Sequence, residues 1–160
     1  MPDAFLRHMT RADVNESSRD DAFALILEAS GAPPEPVPER RPGGIPRAPR
    51  FAVRVPVRYK LPGTDEWYRG ETGNISHSGI AFETDRSETD FFMAPVSDEG
   101  IPVELVLDTR GAGPVPRPIV LGRGILVRVS QALGFRTRTH VAIRLQGQFA
   151  VSHTPPFMMN

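Results

Sequence analysis

The chain has 160 residues, 39% of them hydrophobic and 24% charged, with 19 basic and 19 acidic side chains. That length holds one domain with a modest core and leaves no room for a second full one, and no apolar run reaches the length of a membrane span. The complete absence of cysteine excludes disulfides, thiolate zinc sites and cysteine nucleophiles.

The neutral total hides an uneven distribution. Residues 1–39 carry eight acids and three bases, whereas residues 40–60 carry seven bases and no acid. A local basic block favours an anionic partner even on a neutral molecule. Lys60 is the sole lysine. Arginine suits bidentate contacts better than lysine, but its excess runs along the whole chain and reads first as genome composition. Met1 to Thr10 lack the apolar core of a signal peptide, so a cytoplasmic location is expected.

Residues 1–16 are polar and read as a flexible N-terminus. The stretch 17–30 follows as a short helix. Ser17 or Ser18 is placed to cap it, Asp20 and Asp21 sit in its first turn, and Phe23, Ile26 and Leu27 form an apolar stripe. Gly31, Pro33 and Pro34 end it. So short a helix is marginal alone in water and needs a surface, in its own domain or on a partner. Residues 31–46, rich in proline, glycine and arginine, are a linker.

From Phe51 the pattern turns to strands. "RFAVRVPVRYK" alternates, with Phe51, Val53, Val55, Val57 and Tyr59 on one face and Arg54, Arg58 and Lys60 on the other. "WYRGETGNIS" and "GIAFETD" are a second and third strand. Residues 86–100 form a long connection with a helical turn. "IPVELVLD", "IVLGRGILVRVSQ" and "THVAIRLQG" complete six strands, with Gly122 and Gly124 marking a bend or bulge in the fifth. Residues 148–160 are a tail. Six strands joined mostly by short turns, without intervening helices, predict an all-β fold, a six-stranded antiparallel small barrel preceded by a short helix and a flexible linker.

Two features carry chemistry. One is the arginine-rich approach to the first strand, "RAPRFAVR", and the other is "NISHSG", from Asn74 to Gly79. In a meander the first three strands are neighbours, so the two features can meet on one face. Alone, Asn74 to Gly79 read as a turn. Beside the arginines, a ligand-facing corner is the competing reading. Asn74 offers donor and acceptor to a base edge, Ser76 a small hydroxyl, and Gly79 a backbone open to close approach. A guanidinium fork bonds phosphate oxygens in pairs, matches the O6 and N7 edge of guanine, and stacks on a base. Ser76 and His77 are adjacent and point to opposite sides of a strand, which is poor geometry for a nucleophile and its base. His8, His77, His140 and His153 are scattered without metal-ligand spacing. Trp67 and Phe82 read as core or interface residues.

With these residues in place, the chain resembles the PilZ domain family, bacterial receptor modules for cyclic di-GMP. The family pattern is an Arg-x-x-x-Arg tether followed by Asp/Asn-x-Ser-x-x-Gly on a six-stranded barrel. Asn74, Ser76 and Gly79 match its second half, and the resemblance covers residues 47–147. Arg50 and Arg54 give the literal tether spacing. Aligning the strand that follows places Arg50 at the second arginine and Pro46 at the first, with Arg47 one residue away, so the tether is shifted or degenerate. The resemblance implies a binding module rather than an enzyme, with cyclic di-GMP as ligand, Arg47, Arg50, Arg54, Asn74, Ser76 and Gly79 as binding residues, and no metal or cofactor. A relay to a protein partner is also expected, through the helix at 17–30 or the apolar C-terminal tail. The alternative is an adaptor that keeps the barrel, binds no nucleotide and works through protein contacts. A nucleic-acid-binding barrel ranks third, because the chain outside the basic block is neutral to acidic and offers no pair of stacking aromatics on adjacent strands.

Overall fold

A computed structural model of the protein describes residues 14–17, 19–29, 50–109, 119–132 and 138–152. The elements in chain order are β1 (Val14–Ser17), α1 (Arg19–Ala29), β2 (Phe51–Ala52), β3 (Pro56–Lys60), β4 (Tyr68–Ile75), β5 (Gly79–Thr84), α2 (Glu88–Phe92), β6 (Pro102–Leu107), β7 (Ile119–Ala132) and β8 (Arg138–Ser152). Six strands, β3 to β8, pair antiparallel in the order β8-β5-β4-β3-β6-β7, and β7 pairs back onto β8 to close the barrel. The expected small barrel is therefore the observed fold, with β1 added outside the closed set. Inward positions alternate along each strand, as in Ile80, Phe82 and Thr84 of β5 against Val141, Ile143 and Leu145 of β8.

The core centres on Tyr59, which is wholly buried. Its ring lies 4.9 Å from Phe82 and is stacked at 5.6 Å on Phe91. Phe91 belongs to α2, the helical turn expected between residues 86 and 100. Ser87 caps it by accepting a hydrogen bond from the Thr89 amide, and Glu88 and Asp90 stand in its first turn. Phe82 is core, as expected. Trp67 half-covers a smaller cluster of Val106, Ile119, Leu121 and Ala150.

Three features depart from the sequence reading. Residues 14–17 form a strand, paired with Phe149–Ser152 of β8, where a flexible N-terminus is expected. The reason lies in β8, which runs to Ser152 and well past its pairing with β5, which ends at Gly79 opposite Arg144. Its last residues would otherwise present an open edge, and β1 fills it. For the same reason 148–152 are strand rather than tail. Second, the run from Phe51 to Lys60 is two strands. The step from Ala52 to Pro56 contains one residue more than the facing step from Asn74 to Glu71, which is a β-bulge. Thr72 pins it: its hydroxyl accepts from the Val55 amide at 2.8 Å and donates to the Val53 carbonyl at 2.6 Å. Third, α1 begins at Arg19, so Ser17 is the end of β1 rather than a cap. Ser18, the linker 31–46 and the end of the tail lie outside the described residues.

The expected bulge in the fifth strand is present, as β7 and β8 change register between Leu121 and Arg123. Gly122 is required there, because a Cβ would stand 2.6 Å from the Phe149 ring. Helix α1 lies on the barrel with Ala22, Phe23 and Ile26 buried, and Leu25 and Leu27 half-buried beside them.

Candidate functional site

The β4–β5 hairpin turns through Ser76, His77, Ser78 and Gly79. The Ser76 amide donates to the Gly79 carbonyl at 2.8 Å, and the Ser76 hydroxyl accepts from the amides of Gly79 at 3.1 Å and Ser78 at 3.3 Å. This side chain is only 5% exposed. The corner is thus folded around Ser76 by short-range side-chain-to-backbone bonds. Gly79 meets the backbone of β8: an added Cβ would stand 2.9 Å from the Ile143 carbonyl oxygen. The Ser78 carbonyl accepts from the Leu145 amide at 2.9 Å, which locks the corner to the same strand.

Asn74 is half-exposed and sits opposite Ala52 on one side and Ala81 on the other. Residues directly opposite in an antiparallel pair share a face, so Asn74 stands on the outer face with both alanines. Exposed Arg50 directly precedes Phe51, whose partner is Ile75, so it stands at the end of β2 nearest the Ser76 corner. Arg50 is two residues from Ala52, the partner of Asn74, a separation that a long side chain can span. Neither the Arg50 nor the Asn74 side chain is hydrogen-bonded or ion-paired to a described residue. Arg54 stands in the bulge, 86% exposed, with its guanidinium 3.8 Å from the Glu71 carboxylate. Arg47 lies outside the described residues.

The register extends this face to residues that the motif does not contain. Ala81 faces Ala142 on β8, Ala142 faces Arg128 on β7, and Gly79 faces Arg144. Ala52, Asn74, Ala81 and Ala142 make a low floor, with the exposed Arg50, Arg128 and Arg144 around it. The side chains of Arg128 and Arg144 also have no hydrogen-bond or ion-pair partner among the described residues. Alternation within "THVAIRLQG" puts Ala142 and Arg144 on the outer side, but which strand and residue they meet is set by the register, which the sequence does not print. Further along β4 and β5 the same side becomes acidic. A groove of about 200 Å³ is lined there by Glu71, Glu83 and Asp85 against Arg69 and Arg138. Arg138 is hydrogen-bonded to Glu83 at 3.1 Å, and His140 stands 3.4 Å from the same carboxylate. An anion is therefore favoured at the Asn74 end of the face and disfavoured at the other.

His77, at the tip of the turn, is stacked on Phe23 of α1 with ring centroids 4.4 Å apart, and Phe23 meets Phe51 edge-on at 5.5 Å. The helix thus touches both halves of the site, the corner and the residue after Arg50. Among the described residues no His, Asp and Glu cluster has the geometry to hold a metal ion. No helix among them is long and apolar enough to cross a membrane.

Residues 45–148 match the family model of the PilZ domain. The chain belongs to the PilZ domain family. Among curated proteins, none matches it. PilZ domains are receptor modules of cyclic di-GMP signalling and act by binding rather than by catalysis. The match covers the barrel strands as far as residue 148 in β8, the Asn74–Gly79 corner and the Arg50 approach, so the described face lies within the PilZ domain.

Proposed function

We propose that this PilZ domain binds cyclic di-GMP on the outer face around Asn74 and relays its presence to a protein partner. The observation that carries this reading is the nearness of exposed Arg50, the residue before β2, to Asn74, which pairs with Ala52 of that strand. The ligand's two phosphates and two guanines need guanidinium forks and an amide on one surface. Arg50, Arg128 and Arg144 supply the forks, Asn74 the amide, and the alanine floor a flat seat for a base. Arg47 is assigned to the same arm, Ser76 and Gly79 build the corner, and Arg54 contributes by releasing Glu71. Titration of cyclic di-GMP into the full chain by calorimetry tests the reading. Binding to wild type and a loss of about tenfold or more in Arg50→Ala is expected, as for one charge-assisted contact. No heat far above micromolar ligand, with the fold verified by circular dichroism, would overturn it.

A second reading is an adaptor that binds no nucleotide. Two observations favour it: Arg54 already faces Glu71, and the Ser76 hydroxyl is engaged in its own turn. In either reading the apolar stripe of α1 is occupied by the barrel. A partner recognising residues 17–30 would meet the exposed edge of Asp21, Ala24 and Glu28.

A further inference from the structure

Among the described residues the exposed large hydrophobics are Phe92, Met93, Val96 and Val127, at 64%, 80%, 69% and 64% accessibility. They lie on two elements that pack together. The first three lie in α2 and the segment after it, and α2 packs against β7, which carries Val127. The Leu126 amide donates to the Ile101 carbonyl at 2.9 Å, so the chain leading out of α2 runs onto β7 beside Val127. The patch is held firmly from beneath, because Phe91 is wholly buried on Tyr59 and Ala94 is buried beside it. Apolar side chains clustered on a rigid surface mark an interaction site more often than chance.

Charge selects the occupant. Residues 87–100 carry four acids, Glu88, Asp90, Asp98 and Glu99, and no base. The nearest base in sequence, Arg86, is engaged with Asp90 and Glu66 and lies over the Tyr68 ring at 4.1 Å. A second copy docking the same patch would bring these acids against their own equivalents, and an anionic lipid surface would be repelled by them. We propose that this patch docks a cationic amphipathic segment of a partner protein, its apolar side covering Phe92, Met93, Val96 and Val127 and its basic rim meeting Asp98 and Glu99. Arg128, next to Val127, faces Ala142 on the outer face described above, so the partner seat and that face meet at β7. The inference does not depend on nucleotide binding.

The test titrates the full chain with two fluorescent synthetic helices of about 15 residues, one of leucine and lysine and one of leucine and glutamate. The leucine–lysine helix is expected to bind, more weakly as salt rises, and the leucine–glutamate helix is not. The double variant Phe92→Ser/Met93→Ser is expected to weaken binding about tenfold or more. The variant Asp98→Lys/Glu99→Lys should do the same without touching an apolar side chain, which keeps the test intact if the first variant misfolds. Failure of wild type to bind the basic helix, equal binding of both helices, or equal binding by wild type and the folded variants would overturn the proposal. So would patch-dependent dimerisation in sedimentation, or patch-dependent flotation with phosphatidylglycerol vesicles.

Discussion

Ser76 and Asn74 stand two residues apart in one motif and do different work. The Ser76 hydroxyl is buried and accepts the amides of Ser78 and Gly79, whereas the Asn74 side chain has no partner among the described residues. Two substitutions separate the roles. Ser76→Ala leaves the Gly79 amide without its side-chain acceptor and should lower stability by about 1–2 kcal/mol in urea titration. Asn74→Ala should leave stability within about 0.5 kcal/mol and, if the face binds cyclic di-GMP, lower affinity alone. Gly79→Ala belongs with the first kind. Its Cβ would stand 2.9 Å from the Ile143 carbonyl, and relieving that contact should cost about 1–3 kcal/mol. The motif made the corner legible in the sequence, because asparagine, serine and glycine at that spacing serve both a turn and a ligand. The division of labour was not legible. It depends on how closely β8 approaches Gly79 and on which residue faces Asn74, both set by strand register. The same holds for Arg50 and Arg54: the literal spacing weights them equally, while the bulge gives Arg54 to Glu71 and leaves Arg50 at the end of β2 nearest the corner.

At the scale of elements, the bulge between β2 and β3 and the helix α1 both bear on the site. The run from Phe51 to Tyr59 keeps its inward alternation through the break, with Val53, Val55 and Val57 all buried. Hydrophobic pattern alone therefore could not reveal the extra residue. Thr72 is its cause, a hydroxyl inserted between the Val53 carbonyl and the Val55 amide. Thr72→Val keeps the shape and removes both bonds in a buried place, at about 2–4 kcal/mol, since two buried backbone groups lose a partner. Urea titration measures it. The helix was legible from its stripe, but its seat was not. Phe23 joins His77 to Phe51, so Phe23→Ala should free α1 more than it unfolds the barrel. Hydrogen exchange is expected to speed up in residues 19–29 while β4 and β5 stay protected. Equal acceleration in the helix and the barrel strands would instead mean that α1 is an integral part of the cooperative core.

For the molecule as a whole, six alternating segments with short turns were enough to specify a closed barrel, because closure is the arrangement that leaves no strand edge open among them. What alternation could not show was the overlength of β8, and with it the need for β1: Val14 and three polar residues, Asn15 to Ser17, become strand only because an edge waits for them. The closed core has one titratable group at its centre, and it makes the stability of the whole fold depend on alkaline pH. Tyr59 is wholly buried, and its hydroxyl donates to the Thr84 hydroxyl at 2.9 Å, which in turn donates to the Arg69 carbonyl at 2.8 Å. Burial pushes its pKa up from 10.0 to about 12. The folded state therefore holds the proton where the unfolded chain has released it. The stability from this group is complete below pH 10 and is lost between 10 and about 12, at up to about 1.4 kcal/mol per pH unit. Tyr59→Phe removes the titrating group and one buried hydrogen bond. It should be less stable than wild type near neutral pH by about 1 kcal/mol, with the gap closing and then reversing as pH rises through that window. Urea midpoints of the two proteins, measured across the window in one buffer series, decide the matter: parallel curves would mean that the phenol reaches water more easily than its burial implies.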